Sequence, residues 1–128
     1  MTRRISTTLT AAVLALGLTP VVQGTAQAAE VVIGVLYPLT GPVAQVGIDA
    51  VAAVKTAVDI INEDVNLNVP LGPGKGLTNL GGAKIRLVIA DHGGKPDVGQ
   101  AEAERMITQE KVHALFGAYY SSVTKTAS

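Results

Sequence analysis

The sequence predicts an α/β protein in three layers, a parallel sheet with helices on both faces. Three observations carry this. Short apolar runs rich in β-branched residues recur at 31–36, 83–90 and 112–117, stretches of helical periodicity lie between them, and Gly- and Pro-containing turns separate the two kinds. The resulting order is β-α-β-α-β with a further helix starting behind it. Crossovers of that kind are right-handed in nearly all proteins and build a parallel sheet.

Residues 1–28 stand outside this pattern. Arg3 and Arg4 give a basic start, residues 5–18 are mostly apolar or small, and Ala26-Gln27-Ala28 offers small residues where a signal peptidase reads them. Thr10, Gly17 and Pro20 interrupt the stretch before it reaches the roughly 20 apolar residues of a membrane span. A leader cleaved after Ala28 is expected, with export to the periplasm. The remaining residues, 29–128, are one small domain or part of one. The whole chain has a net charge of zero, which becomes −2 once the two arginines leave, and this offers nucleic acid no basic surface. The chain has no Cys, so an exported form has neither disulfides nor a lipid-accepting thiol.

The elements follow in order. Val31-Val32-Ile33-Gly34-Val35-Leu36 is nearly continuous in apolar residues, as a strand buried on both faces requires, and Tyr37-Pro38 ends it. From Gly47, a stripe of Val51, Val54, Val58, Ile61 and Val65 predicts an amphipathic helix, with Asp49, Lys55, Asp59 and Glu63 off the stripe. Residues 66–82, rich in Gly, read as a long surface connection with room for a short hairpin. A second strand spans 83–90, and Asp91-His92-Gly93-Gly94-Lys95-Pro96 closes it. Asp97 is placed to cap a second helix running to about 111, with Ala101, Ile107 and either Ala103 or Met106 inward. The third strand, 112–117, contains His113 and leads through Ala118-Tyr119-Tyr120 to Ser121-Ser122.

In open parallel sheets ligands bind beyond the carboxyl ends of the strands. Three loops occupy that edge, 37–46, 91–96 and 118–122. Ser121 and Ser122 bring hydroxyls and backbone amides to a helix start, which suits a carboxylate, with the tyrosines shaping the rim. On spacing alone the same serines serve equally as a plain helix cap, and the first loop as a plain connection.

The stretch Tyr37-Pro38-Leu39-Thr40-Gly41-Pro42-Val43-Ala44-Gln45-Val46-Gly47, followed by a helix ending Ile60-Ile61-Asn62, resembles the opening of the leucine/isoleucine/valine-binding protein family. Asp91 with Pro96, and Gly117-Ala118-Tyr119-Tyr120-Ser121-Ser122, are similar to that family's second and third loops. The resemblance covers 31–128 and implies the type I periplasmic binding protein fold, of which only the first part of the first lobe is present. It implies the substrate-binding component of an ABC importer, which closes two lobes round a small solute and delivers it to an inner-membrane ABC permease. The solute is then an amino acid, an amide or an aromatic acid. It further implies that Ser121 binds the ligand carboxylate, and that Ser122, Tyr120, Tyr37, Gln45 and Val46 line the site. Val46 stands where branched-chain amino acid receptors often have a large aromatic, and the cysteines that tie the loops of some relatives are lacking. A sensing module on the same fold, or a remnant cut short before it can function, are the alternatives.

Other chemistries lack their residues. No Gly-x-Gly-x-x-Gly follows the first strand, and Gly72-Pro73-Gly74-Lys75-Gly76 has no Ser or Thr after its Lys. Asp91-His92 has no further His or Cys near it to complete a metal site, and no nucleophile elbow is present. No enzymatic activity, cofactor or metal is expected.

Overall fold

The computed structural model describes residues 29–63, 65, 67 and 75–128. The expected leader lies outside the described residues, as do 64, 66 and 68–74 of the glycine-rich connection. Three strands, β1 (Glu30–Tyr37), β2 (Lys84–Asp91) and β3 (Ala114–Gly117), alternate with the helices α1 (Ala44–Asn62), α2 (Pro96–Thr108) and α3 (Ser121–Ala127).

The apolar run of β1 takes the centre of the sheet, in the order β2-β1-β3. Its pairing with β2 is parallel from Glu30↔Lys84 to Tyr37↔Asp91, and that with β3 is parallel from Ile33↔Ala114 to Leu36↔Gly117. Val32, Val35 and Leu36 are buried, and since neighbours along a strand point to opposite faces, both faces are covered. The path leaves β1 toward β2 and then returns across β1 to β3. Right-handed crossovers in opposite directions put α1 on one face and α2 on the other. On the α2 face Leu36, Ala90, Ala103, Met106, Ala118 and Val123 form one apolar cluster, in which α3 packs against α2.

Asn62 links the end of α1 to the sheet. Its side-chain amide donates to the Ile85 carbonyl at 2.7 Å and accepts from the Ile85 amide at 2.8 Å, so one side chain satisfies both backbone groups of Ile85. The Lys84 ammonium donates to the Asn62 carbonyl.

Local departures from expectation have physical causes. In α2, Pro96 takes the first turn, Lys95 is the N-cap and Asp97 lies inside the helix, so Asp97 is no cap. The inward stripe is Gly99, Ala103 and Met106, whereas Ile107 is half exposed and Ala101 lies on the wet side. Gly99 belongs to the stripe because a Cβ there would collide with Val123 of α3. The third strand starts at Ala114, so His113 precedes it. The hairpin within the long connection is present, with Leu77 bridging Ala83 in antiparallel sense round a 3-10 turn at Thr78–Leu80.

Candidate functional site

Neighbouring strands β1 and β3 send their chains to opposite faces, β1 to α1 and β3 to α3. The crevice between the ends of two such strands is where α/β sheets hold ligands. The pairing Leu36↔Gly117 brings the two strand ends together, and beside it the rings of Tyr37 and Phe116 lie 6.1 Å apart.

Asp91 at the end of β2 organises the first loop. One carboxylate oxygen accepts from the Leu39 amide at 2.7 Å and the Gly93 amide at 2.8 Å, and the other from the Thr40 hydroxyl at 2.6 Å. Burial acts to raise the pKa of this acid, but hydrogen bonds from the Thr40 hydroxyl and from the amides of Gly93, Leu39 and Thr40 outweigh it and hold Asp91 below the usual carboxylate range. A shallow hollow of about 380 Å³ opens here, lined by Thr40, Gly41, Asp91, His92, Gly93 and Lys95 among others.

His92 organises the third loop. It is buried, its Nδ1 accepts from the Gly94 amide at 3.0 Å, and its Nε2 lies 2.8 Å from the Ala118 carbonyl. An amide can only donate, so Nδ1 is unprotonated and Nε2 carries the proton it gives to Ala118. The Tyr120 ring meets the imidazole edge-on with centroids 6.1 Å apart and packs on the apolar cluster. Tyr119, stacked edge-on against Tyr120 at 5.5 Å, is held at φ 74° and is 55% exposed. A bulky side chain in the left-handed region is a strained placement that packing must enforce.

Of the residues singled out in the sequence, Ser121 and Ser122 open α3 and are exposed. Tyr120 is the N-cap of α3, and no side-chain hydrogen bond caps the helix, so neither serine acts as a plain cap. The first helical backbone bond runs from the Thr124 amide to the Tyr120 carbonyl, leaving the amides before it in the first turn without intrahelical acceptors. Tyr37 is half-buried at the end of β1. Gln45 and Val46 lie on the exposed first turn of α1, where the Gln45 amide donates to Asp49 at 2.8 Å. Sequence reasoning left out the roles of Asp91, Thr40 and His92 in shaping the loops. The signal for the first two was a lone acid at a strand end opposite a Thr-Gly-Pro turn.

A family model described as "Periplasmic binding protein" matches residues 30–128. The chain belongs to the periplasmic binding protein family. Among curated relatives of this periplasmic binding protein is the "Leu/Ile/Val-binding protein homolog 8" of Brucella abortus, 33% identical over 106 residues, which cover 81% of this chain and 22% of the relative. Of solved structures, a branched-chain amino acid transporter substrate binding protein from Streptococcus pneumoniae in complex with isoleucine superimposes with a TM-score of 0.62. It is 23% identical and is matched over 77% of this chain and 24% of its own. A solute binding protein of an ABC transporter from Rhodopseudomonas palustris, in complex with 3,4-dihydroxy benzoic acid, gives 0.60 at 21% identity, over 77% of this chain and 23% of its own. Identities this low establish the shared fold. The chain spans less than a quarter of the length of the relatives it matches.

Proposed function

We propose that residues 29–128 form part of the first lobe of a two-lobed solute-binding protein of an ABC importer. This lobe contributes one wall of a cleft for a small carboxylate-bearing solute. The observation that carries the reading is the crevice at the ends of β1 and β3, with the exposed, non-capping serines Ser121 and Ser122 beyond it and Tyr119 held at its rim. Hydroxyls and amides that lack partners within the fold are available to a carboxylate, and such charge-assisted hydrogen bonds are among the stronger ones. Relatives of this fold hold isoleucine in one case and 3,4-dihydroxy benzoic acid in another, and a carboxylate is common to the two. Recognition then proceeds by closure, in which the solute bridges two lobes and stabilises the shut form.

The test uses the product of the reading frame that contains these residues together with any continuation after Ser128. Thermal-shift screening against leucine, isoleucine, valine, benzoates and small amides names the solute, and titration calorimetry then compares Ser121→Ala with the parent. A loss of about 1–3 kcal/mol is expected for a carboxylate. Unchanged affinity removes Ser121 from the site. Export by residues 1–28 is part of the same reading and predicts a secreted product whose first residue is Ala29, which N-terminal sequencing checks.

A further inference from the structure

Residues 91–94, at the end of β2 and just beyond it, serve two loops in alternation. Asp91 takes hydrogen bonds from Leu39 and Thr40 of the first loop, and a Cβ at Gly93 would stand 3.3 Å from the Thr40 hydroxyl. His92 holds the Ala118 carbonyl of the third loop, and a Cβ at Gly94 would stand 3.3 Å from the Tyr120 ring. Both glycines have positive φ, 53° and 77°, so the chain turns sharply while Thr40 comes against one and Tyr120 against the other. Neither polar side chain has anything left for a solute. The Asp91 carboxylate already accepts from the amides of Leu39, Thr40 and Gly93 and from the Thr40 hydroxyl, which fills its acceptor positions. His92 is 1% exposed, and both its ring nitrogens are engaged.

We propose that residues 91–94 are a two-sided brace that sets the first and third loops in place and contacts no solute itself. Asp91 and His92 are its positioning residues, one for each loop. On the side of the third loop the effect passes along the chain by hydrogen bonds. The Ala118 carbonyl that His92 holds also accepts from the Tyr120 amide at 3.0 Å, and the Tyr120 carbonyl in turn accepts the first helical bond of α3, from the Thr124 amide at 2.9 Å. The imidazole thereby fixes the turn from which Ser121 and Ser122 start. On the other side Asp91 holds Leu39 and Thr40, ahead of Gln45 and Val46 on the first turn of α1. The bearing of the brace on solute affinity rests on the solute-binding reading, whereas its bearing on the loops does not.

The experiment is amide hydrogen exchange on the solute-free product of the reading frame that contains these residues, with three variants. Asp91→Ala removes the brace on the side of the first loop. His92→Asn keeps an acceptor near Nδ1 for the Gly94 amide but is too short to reach Ala118, whereas His92→Gln can place an N–H where Nε2 stands. Asp91→Ala is expected to lower the protection of Leu39 and Thr40 at least about fivefold, the worth of one lost hydrogen bond, and to leave Tyr120 and Thr124 within about twofold. His92→Asn is expected to do the reverse, and His92→Gln to restore Tyr120 and Thr124. Loss at both loops from either single change, equal loss in the Asn and Gln variants, or parent-like protection in His92→Asn overturns the proposal. The parent also tests it without any variant, since a scalar coupling across the hydrogen bond from His92 Nε2 to the Ala118 carbonyl carbon is expected, and its absence overturns the proposal. With the solute that screening names, calorimetry is expected to give His92→Asn a Kd at least about fivefold weaker and His92→Gln a Kd near the parent's. Parent-like affinity in His92→Asn overturns the proposal too. A parent that binds no solute overturns the solute-binding reading alone, and the exchange pattern still decides the brace.

Discussion

Asp91 accepts hydrogen bonds from three groups that the folded chain has partly withdrawn from water, and its removal leaves them without an acceptor. Asp91→Ala is expected to lower stability by about 1–3 kcal/mol in urea unfolding, mainly through the amides of Leu39 and Gly93. The pH dependence has a fixed sign. The carboxyl titrates lower in the folded chain than in the unfolded one, so its contribution is complete above the unfolded value and is lost as pH falls through the folded one. The gap between parent and Asp91→Asn in thermal melts should narrow below about pH 4. Which residues touch one another was the least legible level of the sequence. Asp91 is far along the chain from the neighbours Leu39 and Thr40 and meets them only because β1 and β2 end in register at Tyr37↔Asp91.

The elements themselves were legible where their own periodicity decides them. The central strand shows as an unbroken apolar run, and α1 as a stripe from Val51 to Ile61, because burial on two faces or on one imposes those patterns directly. They were less legible where a neighbour decides. In α2 the inward stripe includes Gly99, a residue without hydrophobic signal that is selected by the closeness of Val123. The third strand loses its first two expected residues because the His113 side chain replaces the backbone ladder there. The Ile60-Ile61-Asn62 ending carries a physical reason that the pattern alone does not show. Asn62 pairs both backbone groups of Ile85, as a neighbouring strand would. Asn62→Ala is therefore expected to cost more than an ordinary helix-end change, about 2 kcal/mol or more for two backbone groups left unpaired. Chemical denaturation reads this, and a loss within about 0.5 kcal/mol, the usual size for a surface position, would rule the strand-like role out.

At the scale of the whole molecule, the fold class and the parallel sheet were readable from the alternation of elements, while the strand order β2-β1-β3 was not. The extent of the cleft was not, since a cleft wall is defined by what stands opposite. Gln45, Val46, Ser121 and Ser122 are exposed, and a drug-sized solute needs most of its surface covered to bind well. The 128-residue chain by itself is expected to give no micromolar complex in calorimetry with leucine, isoleucine, valine or benzoate, and a Kd below about 10 μM for any of them would refute this. Beside β3 runs an apolar groove of about 440 Å³ lined by Leu36, Ile107, Val112, Leu115 and Phe116 among others, and Phe116 is half exposed. The position of β1 has one more effect. The strand made first is the one that needs partners on both sides, and the second of them is held to it by a contact between residues 81 apart. As the chain is synthesised, Ile33 must wait for Ala114 before its row of backbone groups is closed. Until then this apolar run has one side unpaired, and pairings between residues so far apart in sequence are the kind that slow folding.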